Sequence, residues 1–321
     1  MYDKRLGAEK PAKGVEQTVT KSKFSGFSGI IIDGVSASHT SEVFVKGGSP
    51  KGPSVEHGDS SIHEDTTNID PYYIGQYEVT QEFYSAVMAG ETVTVNGKVF
   101  KLEANPSSNR ENSLVKGEIQ KYRPVESVTW YDAMYFCNVL SRKLGFTEAY
   151  TFEIKAVENG HITDANVSRI KTADGYRLPF DYEWEFAARG GDVKAKDFTF
   201  AFSGTSAPTY KLDDEFSPYL DNVAWYGFNP SGKTEKNKGK AGTPGFTTHE
   251  VGKKSPNRLG IYDMSGNAAE WVYTAGEGDE KCVLGGSYAT TARACTVTAW
   301  NDELPNTRTN GLGFRLVRSA K

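Results

Sequence analysis

Cysteine is scarce. The 321 residues contain three, Cys137, Cys282 and Cys295, too few and too scattered for a disulfide framework or a cysteine-based zinc site. Histidine is nearly as rare. None of His39, His57, His63, His161 and His249 pairs with another at ligand spacing on a helix, which leaves a histidine metal centre without support. No run approaches the ~18 apolar residues of a membrane-crossing helix. The opening MYDKRLGAEKPAKG lacks the apolar stretch of a signal peptide, so the chain is expected to be either cytoplasmic or a mature form whose signal has been removed. Positive charge is not in excess: 37 Lys and Arg stand against 41 Asp and Glu, a formal net charge of -4, and no basic face is evident. A nucleic-acid partner, which rewards such a face, is therefore not expected.

What is present is an ordinary globular composition, 37% hydrophobic and 24% charged, in a chain long enough to bury a core without staples. The 33 glycines, 17 tyrosines, 17 phenylalanines and 5 tryptophans favour a loop-rich, aromatic-packed fold. Residues 1–27 read as a polar tail or extended segment, and residues 28–321 as a single domain. SGIIIDG (Ser28–Gly34), EVFVKGG (Glu42–Gly48) and the alternating PYYIGQYEVT (Pro71–Thr80) read as strands, with an acidic loop over His57–Ile69. Thr80 is placed to cap a helix over QEFYSAVM. Asn96-Gly97 marks a hairpin in ETVTVNGKVFKL. Helical spacing runs from Ser127 or Thr129 to a stop at Gly145, with Cys137 on the apolar face as a small buried hydrophobe. A second main helix lies within YRLPFDYEWEFAARGG (Tyr176–Gly191). The segment from Val223 to Trp271 is mostly loop, and two strands close the chain. The class is α+β, with loops carrying much of the function.

The stretch from Gly285 to Arg315 stands apart. It begins Gly-Gly-Ser-Tyr, ends Gly-Phe-Arg, and between them mixes small, polar, charged and aromatic residues without a period. It reads either as a site around Cys295 or as a surface that touches a partner.

Six segments taken in order resemble the formylglycine-generating-enzyme-like (sulfatase-modifying factor) family: YYIGQYEVTQEFY, RPVESVTWYDAMYFCNVLS, YRLPFDYEWEFAARGG, HEVGKKSPNRLGIYDMSGNAAEW, VLGGSY and GLGFRLVR. The resemblance implies a C-type-lectin-like fold, with small antiparallel sheets, two main helices and high loop content. It also makes Arg177, Glu183 and Glu185 internal partners rather than catalytic acids. Where the family reads Arg-Leu-Pro-Thr, this chain has Phe180, and Asp181 is expected to cap the helix one position later.

Oxidases of that family hold copper between two cysteines five residues apart, since two soft thiolates select Cu(I). Here Thr290 takes the first position and Cys295 the second, so no copper is expected. The alternative, an oxidase acting on a protein cysteine through Cys295 alone, lacks any histidine between residues 250 and 321 to activate the thiol.

The 285–315 stretch also resembles the variable region of the C-type-lectin-like proteins diversified by retroelements, the Treponema type among them. Such mutagenesis strikes adenines, so asparagine codons of a template scatter while adenine-poor codons persist. On that resemblance Ala289, Thr290, Thr291, Arg293 and Ala294 are exchangeable. So are Ala299, Asn301, Asp302, Leu304, Thr307, Thr309, Asn310 and Gly311. Gly286, Ser287, Ala292, Cys295 and Pro305 are fixed scaffold. Trp300, reachable from an arginine codon, is the expected anchor, and Arg293 a second contact. Glu303 belongs to the expected surface although no asparagine codon yields it.

The expected function is non-enzymatic binding of a protein or cell-surface ligand by a displayed protein, joined to a membrane only through a lipid anchor outside this sequence. A solvated loop with an exposed tryptophan is the plainer reading of the same residues. The resemblance finally implies a structural calcium held by Asp263, Glu270 and the carbonyls of Gly266 and Ala268. Four ligands fall short of the usual 6–8, and Asn267 and Glu270 could instead simply tie the loop by hydrogen bonds.

Overall fold

Thr80 leaves an extended segment and begins a helix because its hydroxyl accepts the Phe83 amide, supplying one of the partners that the first turn lacks. The same device opens the longest helix: Thr129 Oγ1 accepts the Asp132 amide and Asp132 accepts the Thr129 amide. In the computed structural model these are α1 (Gln81–Met88) and α2 (Trp130–Lys143), joined later by α3 (Asp181–Ala188). The described residues are 19–24, 27–32, 39–50, 68–110, 115–206, 215, 217–230, 239–240 and 245–320.

The start of α3 differs from expectation. Phe180 occupies the cap position, and the Glu183 carboxylate reaches back to accept the Phe180 amide. Asp181 is already the first helical residue, and its carboxylate accepts from the Tyr182 amide and the Thr274 hydroxyl. A phenyl ring supplies no cap oxygen, so Asp181 accepts the first-turn amide of Tyr182 while Glu183 holds the Phe180 amide. Arg177 clamps Glu183 at 2.6 Å and Arg189 binds Glu185 at 2.7 Å, the internal roles expected of these acids.

Two sheets frame the molecule. The first runs β1 (Val19–Phe24), β2 (Phe27–Ile32), β3 (Ser41–Val45), β4 (Tyr72–Gly75) and β13 (Val317–Ser319), all antiparallel neighbours. β1 lies within the stretch expected to be a polar tail, so pairing begins before residue 28. Residues 1–18, 25 and 26 of that stretch and most of the expected acidic loop fall outside the described residues. The second sheet has the order β11 (Trp300–Glu303), β10 (Lys281–Leu284), β9 (Ala269–Ala275), β12 (Leu312–Phe314), with β12 parallel to β9. Asn96-Gly97 joins β5 (Thr92–Val95) to β6 (Lys98–Lys101), both turn residues having positive φ as a tight hairpin demands. A second Asn-Gly turn, Asn159-Gly160, joins β7 (Tyr150–Glu158) to β8 (His161–Arg169).

The largest core cluster packs α1 and α2 against Trp271, Val283, Leu312 and Phe314 of the second sheet. The chain thus passes through the second sheet at β9 and β10, makes an excursion over residues 285–311 that touches the sheet's edge as β11, and returns through β12 beside β9. Both ends of that excursion are anchored in the core.

Candidate functional site

The excursion starts at a glycine pair because nothing else fits. Gly285 and Gly286 both have positive φ, and a Cβ on Gly286 would stand 2.6 Å from the Ala294 carbonyl oxygen and 2.8 Å from Cys295 Sγ. Beyond it the backbone is tied down repeatedly. The Tyr288 amide donates to Asn267 O, the Ala292 amide to Glu215 O and the Val297 amide to Ala201 O. From the other side Gly227, Trp130 and Ser127 donate their amides to the carbonyls of Thr290, Pro305 and Thr309. A segment with little regular structure is therefore held as firmly as a strand.

Side chains sort cleanly along it. Of the residues expected as fixed scaffold, Gly286, Ser287, Ala292 and Cys295 are buried and Pro305 is half-buried. Of those expected to exchange, all are half-buried or exposed except Gly311. Gly311 is a correction: a Cβ there would meet Ser287 Oγ at 3.1 Å, so the turn into β12 restricts it to very small residues.

A cavity of about 380 Å³ opens beside the segment. Its floor is the sheet face, through Ala269, Val283 and Leu312. Ser287, Ala289, Thr290 and Ala294 line it from the first half of the excursion. Ala299, Trp300, Asn301 and Glu303 line it from the second half, with Thr309 and Asn310 beside them. Two stretches of chain that are separate in sequence thus share one concavity. The floor residues carry no sequence signal of their own, because which face of β9 and β10 turns outward depends on pairing register.

Thr291, Arg293, Asp302, Leu304 and Thr307 do not line it. Arg293 and Leu304 project elsewhere into solvent, Leu304 being 51% exposed. The pleat explains Asp302. Asn301 pairs with Val283 and so shares the cavity face, as does Glu303, whereas Trp300 and Asp302 pair with Leu284 and Cys282 on the opposite face. Asp302 is occupied there, accepting from the Glu277 amide and the Cys282 thiol. Trp300, 52% exposed, stands at the outer edge of the sheet and touches the cavity from its rim.

Cys295 is fully buried, and its sulfur lies 3.5 Å from Thr290 Oγ1. That hydroxyl also accepts the Ser287 amide and donates to the Ser287 carbonyl, closing the turn. The two positions that would hold a thiolate pair do face each other, but one carries a hydroxyl devoted to structure. Burial raises the Cys137 thiol, and burial with the Asp302 carboxylate beside it pushes Cys282 up to about 12. Neither resembles an activated nucleophile.

Beneath the site lies a knot of buried charge. Arg315 grips Glu270 through Nε and Nη2, and the Trp184 indole N–H donates to the same carboxylate. Glu78 accepts from Asn267 Nδ2 and the Ala268 amide. Asp263 accepts the Gly252 amide through Oδ2, while its Oδ1 is buried without a partner, and burial pushes its carboxyl up to about 6. Of the four residues expected around calcium, Glu270 is thus engaged by arginine, and Asp263 keeps an oxygen with no donor. Among the described residues no three His, Cys, Asp or Glu side chains gather as a metal site.

Residues 33–320 match the sulfatase-modifying factor enzyme 1-like domain. The chain belongs to this family. It is 33% identical over 246 residues to the chaperone protein LppX of Paenibacillus barcinonensis, covering 72% of this chain and 70% of that protein. It is 32% identical over 155 residues to the inactive C-alpha-formylglycine-generating enzyme 2 of Bos taurus, covering 46% of this chain and 45% of that protein. Formylglycine-generating enzymes also match, over shorter stretches such as the 31% of this chain shared with that of Mycobacterium tuberculosis. Among solved structures, Treponema denticola variable protein 1 superposes with a TM-score of 0.63 at 32% identity, covering 86% of this chain and 94% of that one. The expected family and fold, and the likeness to a variable protein, therefore hold.

Proposed function

We propose that this sulfatase-modifying-factor homologue is a non-enzymatic binding protein whose 285–315 region presents an exchangeable recognition surface outside the cytoplasm. The observation that carries this reading is the sorting of side chains. The residues expected to be fixed are buried or half-buried against glycine turns and core, while the exchangeable ones, Gly311 and Asp302 excepted, open on a cavity or on solvent. Substituting such outward residues disturbs stability by only ~0.5 kcal/mol, and a backbone tied at both ends keeps the ordering cost of binding low. Thr290 in place of a second sulfur removes the chemistry that the family's oxidases need. The DNA that flanks the coding region tests the diversified reading. The expected result is a near-copy of the codons for 285–315, differing at adenines, beside a reverse transcriptase gene. A locus without such a copy, with identical codons for 289–311 across isolates, refutes it. Protease treatment of intact cells tests display, with loss of the full-length chain expected.

A structural calcium belongs to the same proposal. Asp263, Glu270 and the carbonyls of Gly266 and Ala268 would hold it. Its support is the partnerless Asp263 Oδ1, and Glu270 would have to leave Arg315 to join it. Calcium should raise the thermal midpoint of the chelator-treated protein and leave that of Asp263→Asn unmoved. Equal response of both proteins would remove the ion from the account.

A further inference from the structure

Resting on the binding role proposed above, we infer that the cavity accepts a lysine or arginine side chain from an exposed segment of a protein partner. Its floor is apolar, built by Ala269, Val283 and Leu312, and suits the methylene stem of a basic side chain. Among the described residues the sole charged one on its lining is Glu303, which the pleat of β11 turns to the same face as Val283. No lysine or arginine among the described residues lines it. Lys281, the cross-strand partner of Glu303, carries its ammonium over the Trp130 ring instead.

The other polar groups of the cavity are largely committed. Ser287 Oγ accepts the Ala289 amide, Thr290 Oγ1 closes its own turn, and Asn301 Nδ2 donates to Glu303 Oε1. One amide donor leaves a carboxylate with acceptor capacity to spare. The uncompensated property of the concavity is thus negative charge above an apolar floor, and an ammonium or guanidinium on an aliphatic stem complements both. Trp300 at the rim adds an exposed indole that packs against the incoming stem or its cationic head. A volume of about 380 Å³ lies at the lower end for ligand pockets, which suits one side chain with its flanking backbone rather than a folded element.

A phage-displayed library of random peptides panned on the full chain tests the inference. Enriched peptides are expected to share a lysine or arginine. Synthetic versions should bind Glu303→Gln roughly 10- to 100-fold more weakly, the range of a hydrogen bond to a charged group. Salt of about 1 M, where the Debye length falls to ~3 Å, should weaken binding to the wild type more than to the variant. Glu303→Lys should enrich acidic peptides instead. An unchanged unfolding midpoint separates these effects from misfolding. Peptides that lose binding to Ala299→Trp but carry no basic residue, or that ignore Glu303→Gln, overturn this inference and leave the binding role standing. Enrichment indifferent to both Ala299→Trp and Ala294→Trp, or no enrichment, overturns the two together.

Discussion

Replacing Gly286 by alanine adds a single methyl group, yet it should cost this protein more than several changes on the rim of the cavity. Two penalties meet at that residue. Its φ of +65° is a left-handed conformation that costs an L-residue with a Cβ about 1–2 kcal/mol. The new methyl would also stand 2.6 Å from Ala294 O, 2.8 Å from its carbonyl carbon and 2.8 Å from Cys295 Sγ. Two of these atoms are backbone and the third belongs to a fully buried side chain, so none can swing away. Overpacking of that kind costs about 1–3 kcal/mol. A total of roughly 2–5 kcal/mol is expected, read from urea unfolding as a shift in midpoint at constant slope. The comparison is a protein carrying Ala289→Ser, Arg293→Ser and Asn301→Ser together, whose midpoint should shift by about 1 kcal/mol or less. If Gly286→Ala costs under about 1 kcal/mol, or the triple variant costs more than Gly286→Ala, the picture of a rigid frame with exchangeable fittings is wrong.

Further outcomes follow from the same geometry. Thr290→Cys should bind Cu(I) in competition with a chromogenic chelator where the wild type does not, because its sulfur would face Cys295 across the 3.5 Å now spanned by the hydroxyl; equal binding by both proteins would show that copper is held elsewhere. At pH 8 the native protein should react very slowly with a thiol reagent. Cys282, held up to about 12, is then only about one part in ten thousand thiolate, its labelling should rise with pH toward that value, and all three thiols should react once urea unfolds the chain. Arg315→Ala should cost about 3–5 kcal/mol by leaving Glu270 buried and unpaired, and Arg315→Met no less, since it too removes the cation; a midpoint shift under about 1 kcal/mol would mean that the carboxylates have found water or another cation.

Much of the frame was legible in the residues. Thr80, Thr129 and Asn96-Gly97 each announce an element through local chemistry, and each element forms where they stand. Asn159-Gly160 carries the same turn signal, and its hairpin of two nine-residue strands was open to the same rule. Phe180 shows where local rules fail. Its ring offers no cap oxygen, and the free amides are shared: Asp181 accepts that of Tyr182, while Glu183, clamped by Arg177, accepts that of Phe180. The composition of the cavity was half legible. Its walls are the residues that the Gly-Gly-Ser-Tyr and Gly-Phe-Arg brackets single out. Its floor, and the assignment of Asp302 to the opposite face, depend on the register of β10 against β11, which no local pattern fixes.

If the binding reading holds, Thr290 and Cys295 show how a frame shared with oxidases can serve recognition without being rebuilt. A copper pair needs two sulfurs brought together by a rigid turn, and rigidity is also what a binding surface needs. Here the turn survives: glycines at 285 and 286, a buried Cys295, and amides pinned to 201, 215 and 267. Only the first sulfur is replaced, by a hydroxyl that fits because it bonds both the amide and the carbonyl of Ser287. A threonine here leaves no thiolate pair and ties the turn through Ser287. On the binding reading proposed above, the residues around it answer to the partner that fills the cavity. A chain that had merely lost an activity would have no reason to keep the excursion so firmly held, whereas a binding surface loses affinity with every degree of freedom it must freeze.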